Sequence, residues 1–131
     1  MSTRALFAAV AAFLTSLPAH AAAQQYPSKS VRMIVPFGAG GPADVFGRVI
    51  AQHLSEQLKQ SFVIENRPGA GAIIGTDAVA KAAPDGYTLL VMSNTHTTNE
   101  SLIPTRPYQL MRDFAAVVPI NSSDLLMVAH P

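Results

Sequence analysis

The chain alternates between short, nearly continuous apolar runs and longer stretches with helical spacing. The apolar runs are Val31–Val35, residues 62–65 and residues 87–92, and each reads as a buried strand. Between the first two, from residue 43 to about 60, Val45, Phe46, Val49, Ile50, His53, Leu54 and Leu58 fall on one helical face. Arg48, Gln52, Ser55, Glu56 and Lys59 take the other. Pro42 suits the first turn of that helix, where its missing N–H costs nothing. A second helix is expected over about 73–82, with Ile74, Ala78, Val79 and Ala82 inward and Asp77 and Lys81 spaced for an i,i+4 pair. Residues 93–99 read as a loop rich in hydroxyls and amides, and 101–103 as a short helical turn stopped by Pro104. Residues 105–113 read as loop, and 114–120 and 125–129 as two further strands. The βαβαβ order predicts an α/β fold with a mostly parallel sheet and flanking helices.

The first 23 residues follow a different pattern. Arg4 precedes an apolar stretch over 5–14, then Pro18 and Ala19-His20-Ala21-Ala22-Ala23. That order is a secretory signal peptide, with cleavage expected after Ala21 or Ala23. Its apolar part is too short to span a bilayer. The mature part, 24–131, is expected to be exported to the periplasm as one domain. Charged residues make up only 13% of the chain against 49% hydrophobic, which favours a packed core over disorder. A net charge of +1 with no basic patch argues against a nucleic-acid partner. The absence of cysteine excludes disulfides, a thiol nucleophile and thiolate metal sites. His20, His53, His96 and His130 have no metal-ligand spacing.

In parallel α/β sheets, ligands bind outside the carboxyl ends of the strands. Three loops leave those ends here: 37–44, 66–75 and 93–99. The first is a glycine turn opening a helix, where unpaired N–H groups and the helix dipole favour an anion. Gly38-Ala39-Gly40-Gly41-Pro42-Ala43 also matches G-x-G-x-x-A, with Glu65 at the end of the next strand, as in a dinucleotide site. Pro36 and Phe37 crowd that turn, and an exported protein meets little dinucleotide, so no cofactor is expected. Asp44 can cap the helix and complement its dipole. Ser93, His96 and Asp113 lack a nucleophile elbow, and no enzyme is expected.

Longer motifs extend the picture. Tyr26-Pro27 precedes Val31-Arg32-Met33-Ile34-Val35-Pro36-Phe37, then Gly40-Gly41, Asp44 and Arg48. Glu65-Asn66-Arg67-Pro68-Gly69-Ala70-Gly71, Ile74-Gly75 and Ala83-Pro84-Asp85-Gly86-Tyr87-Thr88-Leu89-Leu90 follow, with Asn99, Leu102, Tyr108 and Asp113-Phe114 fitting more loosely. In this order the motifs resemble the Bug (TctC-type) extracytoplasmic solute receptors of tripartite tricarboxylate transporters. Gln109, Ala116 and Gly47 depart from that pattern at packing positions. The resemblance implies a type II periplasmic-binding-protein fold, a small carboxylate-bearing solute and membrane transporter subunits as partners. It implies that Phe37, Gly40, Gly41 and Asp44, with Ser93, Thr95 and His96, line the cleft. Gly38, Ala39 and Asn94 between them complete the candidate ligand set. Arg67 is the one loop cation near that set, and it can equally tie down its own loop. Ending at Pro131, the chain is expected to hold only the first of two lobes, the second being absent. The alternative expectation is a truncated product that binds nothing.

Overall fold

The computed structural model describes residues 25–122; the leader, the 125–129 run and the end at Pro131 lie outside them. The elements run β1 (Val31–Val35), α1 (Pro42–Leu58), β2 (Phe62–Asn66), a 3-10 turn (Ala70–Ala72), α2 (Ile73–Ala80), β3 (Thr88–Leu90), α3 (Asn94–Leu102) and α4 (Leu110–Asp113). The three strands form one parallel sheet in the order β2-β1-β3, with Val31 opposite Phe62 and Arg32 opposite Thr88. The expected strand–helix alternation therefore holds through β3, and the Asp77–Lys81 pair forms at 2.7 Å.

The central strand is the most buried element. Val31, Met33, Ile34 and Val35 are all buried, as a strand covered on both faces requires. Met33, Val31 and Val35 join Ala51, Phe62 and Val91 in the core, with Ile50, Leu54, Ile64 and Leu89 packed around them. Helix α1 packs on β1 and β2, and α2 on β1 and β3.

The helices do not bury the faces that their large apolar residues predict. Helix α1 turns Asp44, Gly47 and Ala51 inward, while Val45, Phe46, Val49 and Leu58 are exposed. The reason is distance. A Cβ at Gly47 would lie 3.3 Å from Ile64 Cδ1 and 3.4 Å from Val35 Cγ2, so the helix sits on the sheet through small residues. Helix α2 likewise buries Gly75 and Thr76 and leaves Ile74 exposed.

Two stretches differ in kind. Residues 93–99 belong to a helix, not a loop, because Ser93 and His96 cap its first turn from both sides, and that helix takes in 101–102 as well. Residues 114–120 form no strand among the described residues. Their apolar, β-branched composition favours one, but a strand needs a neighbour for its backbone groups, and none pairs there; Val117 and Val118 stand largely exposed. The loop expected over 105–113 ends in the single turn of α4.

Candidate functional site

All three parallel strands run the same way, so the segments after Val35, Asn66 and Leu90 leave one edge of the sheet together. The first is the turn into α1. Gly41 is the N-cap, Pro42 opens the helix, and no side chain caps it. The N–H groups of this first turn thus lack intrahelical partners. Gly38, Ala39 and Gly40 are exposed, and Gly41 and Phe37 are half-buried.

Beneath that turn lies Asp44, 2% exposed. Its Oδ2 accepts from Gly40 N at 2.8 Å and from Arg48 Nε at 2.9 Å, and its Oδ1 accepts from Asn66 Nδ2 at 2.9 Å. Asn66 Nδ2 also donates to Phe37 O at 3.1 Å, and Asn66 Oδ1 accepts from Arg48 Nη2 at 3.1 Å. The Arg48 hydrogen bond first, then those from Gly40 and Asn66, hold the Asp44 carboxyl far below the usual carboxylate range. Both Asp44 oxygens are turned inward. The side chain shapes the turn, and its charge is matched by Arg48.

The second segment carries Ala70, Gly71 and Ala72, all at positive φ (46°, 61° and 76°). Left-handed alanines are strained and need outside support. That support comes from neighbouring helices: Asn99 Nδ2 donates to Gly71 O at 2.8 Å, and Thr76 Oγ1 to Ala72 O at 2.8 Å. Arg67 closes on Glu65 at 2.6 Å and so ties its own loop.

The third segment is the start of α3. Ser93 Oγ accepts from Thr95 N at 3.3 Å, and Ser93 N donates back to His96 Nδ1 at 3.1 Å. Asn94 is exposed and Thr95 half-buried, whereas His96 is fully buried. Its Nε2 lies 3.0 Å from Thr76 Oγ1, and its ring meets the Phe37 ring edge-on at 5.8 Å between centroids.

The ten sequence-predicted residues therefore gather at one edge, in two tiers. Gly38, Ala39, Gly40 and Asn94 reach solvent, with Phe37, Gly41, Ser93 and Thr95 half-covered. Asp44 and His96 lie underneath and hold the turns in place. Four further residues belong to the assembly: Arg48, Asn66, Thr76 and Asn99. The Asp44-Arg48 i,i+4 spacing is a signal for the first. Thr76 and Asn99 carry no local signal, because the His96 ring that meets Thr76 lies 20 residues away and the Gly71 carbonyl that Asn99 holds lies 28 away. Thr76→Val keeps the shape but strips the hydroxyl from a fully buried site, leaving the ring nitrogen of His96 without a partner and removing the side-chain hydrogen bond on Ala72 O. The cost expected is about 2 kcal/mol, read as a lower urea midpoint.

A separate concavity of about 420 Å³ lies at the opposite edge, lined by Lys29, Arg32, Ala82, Asp85, Tyr87 and Thr88 among others. Lys29 is paired with Asp85 at 3.3 Å, so this groove offers little free charge.

The family description of the tripartite tricarboxylate transporter family receptor (TctC) matches residues 46–131. This chain belongs to that family. Protein BugT of Bordetella pertussis is 40% identical over 135 residues, covering 100% of this chain and 41% of BugT. A UPF0065 protein of Agrobacterium vitis is 42% identical over 125 residues, covering 95% of this chain and 36% of that protein. The chain thus spans about two fifths of the length of these curated relatives. Among solved structures, MatC from Rhodopseudomonas palustris with bound malate matches with a TM-score of 0.64 at 40% identity, over 68% of this chain and 31% of that one. A structure described as a periplasmic transporter matches with a TM-score of 0.60 at 41% identity, over 63% of this chain and 28% of that one. The TctC receptors are solute-binding proteins, and the parallel α/β layer of this chain matches part of that periplasmic transporter and of MatC.

Proposed function

We propose that this chain is the first lobe of a periplasmic receptor that captures a small carboxylate-bearing solute for a tripartite tricarboxylate-type secondary transporter. In this reading residues 1–23 are the export signal, 24–131 form the lobe, and membrane subunits of the transporter receive the solute. The observation that carries it is the meeting of two helix N-termini, those of α1 and α3, through Phe37 and His96 at one edge of the sheet. The uncapped α1 turn presents backbone N–H groups, the Ser93-capped α3 adds Asn94 and Thr95 beside it, and both aim the positive end of a helix dipole at the same rim, the chemistry that holds a carboxylate. Arg48 and Asn66 engage the one buried carboxylate below, so the rim does not repel an anion. The malate in the MatC structure supports the same ligand class. Gly38, Ala39, Gly40, Gly41, Asn94 and Thr95 supply the contacts, with Phe37 and Ser93 beside them. Asp44 and His96 act from beneath. No step here breaks a covalent bond, and binding is the whole activity.

A cleft receptor gains its affinity by closing two walls on the solute. One wall buries one side of a small acid, so a Kd of about 1 mM, near −4 kcal/mol, is expected for residues 24–131 taken alone. Isothermal titration with malate, citrate, glutamate and aromatic acids measures it. Saturable heat with one of them at millimolar concentration is the expected result. An absence of heat with all of them at ten times that concentration overturns binding by this chain and favours the inactive alternative.

A further inference from the structure

The three loops are not merely adjacent. One side chain links all of them. The His96 ring reaches the first loop through Phe37 (5.8 Å, interplanar angle 82°), the second through Thr76 and thence Ala72 O, and the third through Ser93. We infer that His96 is the positioning residue that clasps the three ligand loops into one surface, and that it does so only as a neutral imidazole. The inference rests on the receptor reading for its consequence, and on the ring's own contacts for its substance.

Hydrogen-bond accounting selects the tautomer. Nδ1 lies 3.1 Å from both Ser93 N and Ser93 O. With the proton on Nε2, Nδ1 accepts from Ser93 N–H, Nε2–H donates to Thr76 Oγ1, and the Thr76 hydroxyl donates to Ala72 O. Every group from Ser93 through His96 and Thr76 to Ala72 O is then satisfied. With the proton on Nδ1, Ser93 N–H loses its acceptor, and the Thr76 hydroxyl must turn from Ala72 O to Nε2. The doubly protonated ring keeps Nε2–H on Thr76 and donates Nδ1–H to the Ser93 carbonyl, which leaves Ser93 N–H without its acceptor and opens the His96 half of the cap of α3. The strained turn at Ala70–Ala72 leans on the same Thr76, so any disturbance of that hydroxyl reaches it.

The neighbours do not supply a compensating charge. The groups set against the ring are Phe37, Thr76 and Ser93, all uncharged. The charged side chains of the surrounding elements are closed into pairs of their own: Asp44 with Arg48, Glu65 with Arg67, Asp77 with Lys81 and Glu100 with Arg106. Burial accordingly pushes the ring's pKa below the ordinary histidine value, with the Ser93 backbone hydrogen bond opposing. A depressed histidine pKa means that the clasp is closed at neutral pH and is lost as pH falls through that lowered value.

His96→Gln provides the control. Glutamine at this position of a Ser-initiated cap still accepts from Ser93 N–H, and it does not titrate. Malate titrations of wild type and H96Q between pH 7 and pH 4.5 are compared as a ratio, which cancels the protonation of malate itself. The ratio of wild-type to H96Q affinity is expected to fall about tenfold for each pH unit below the ring's pKa. A flat ratio overturns the inference. On the wild-type protein alone, ¹⁵N NMR of the imidazole is expected to show Nε2–H. Hydrogen exchange at Ser93 and at residues 70–72 is expected to rise together as the ring titrates. An Nδ1–H ring, or exchange at those amides that ignores its titration, overturns the inference independently of any ligand. Should neither protein bind malate at pH 7 while the NMR and exchange results hold, the clasp stands and malate binding by this chain falls.

Discussion

Gly75→Ala is expected to cost about 3 kcal/mol and to lower Tm by about 15 °C. A Cβ at this position would lie 2.7 Å from Arg67 O, 2.7 Å from Pro36 Cβ and 3.0 Å from Pro36 Cα. The obstacles are backbone and a rigid ring, so neither can rotate away. Gly75 is where α2 is driven against the ends of β1 and β2, and relief must come from moving the helix off the sheet. That motion carries Thr76 away from His96 and opens the seam between the first and second loops. Malate binding should weaken with stability. Gly47→Ala is the matched comparison. There the added Cβ meets only side-chain atoms at 3.3–3.6 Å, and alanine gains helix propensity of about 1 kcal/mol over glycine. The second variant should remain within about 1 kcal/mol of wild type. Thermal unfolding followed by circular dichroism separates the two, and equal midpoints would refute the close-approach argument.

Asp44→Asn is expected to loosen the first loop and to lower Tm by about 10 °C. The carboxylate accepts three hydrogen bonds, from Gly40 N, Arg48 Nε and Asn66 Nδ2. An amide offers one acceptor oxygen and points its NH₂ at donors, so part of the set must break. Amide exchange at Gly40 should rise, and the Arg48 side chain should lose its fixed position. The pH dependence has a defined sign. The folded-state pKa is depressed, so the stabilisation is fully present above the ordinary aspartate value of about 3.9 and is lost as pH falls below it. Urea unfolding from pH 5 to pH 2.5 should therefore show a shallower acid decline in D44N than in wild type. Parallel declines would show that Asp44 is not the group responsible.

The sequence by itself determined the layer order, the three strands, the first two helices and the edge at which the three strand-end loops gather. These follow from near-continuous apolar runs, from a glycine turn before a helical period, and from the rule that parallel strands end their loops together. The family motifs are equally local and were legible for the same reason. Which face of each helix is buried was decided only in three dimensions. The helical period marks the large residues Val45, Phe46 and Val49, yet packing distance to the sheet selects Gly47 and Ala51, which have little hydrophobic signal. The helix at residues 94–102 was hidden because its stability comes from a cap closed by a histidine and from His96 and Asn99 turned inward, not from any apolar stripe. The apolar stretch 114–120 erred in the opposite sense, since strand composition specifies nothing until a partner edge is present.

The candidate site divides along the same line. The exposed tier of Gly38, Ala39, Gly40 and Asn94 was readable because glycine turns and strand ends are sequence features. The tier beneath was readable as residue types but not as roles. Asp44 and His96 carry chemistry that suggests contact with a ligand, and only the tertiary structure turns them inward. There Arg48 and Asn66 take up the carboxylate, and Thr76 and Ser93 take up the imidazole. The physical reason is that a buried polar group is defined by its partners, and those partners lie 3 to 22 residues away in sequence.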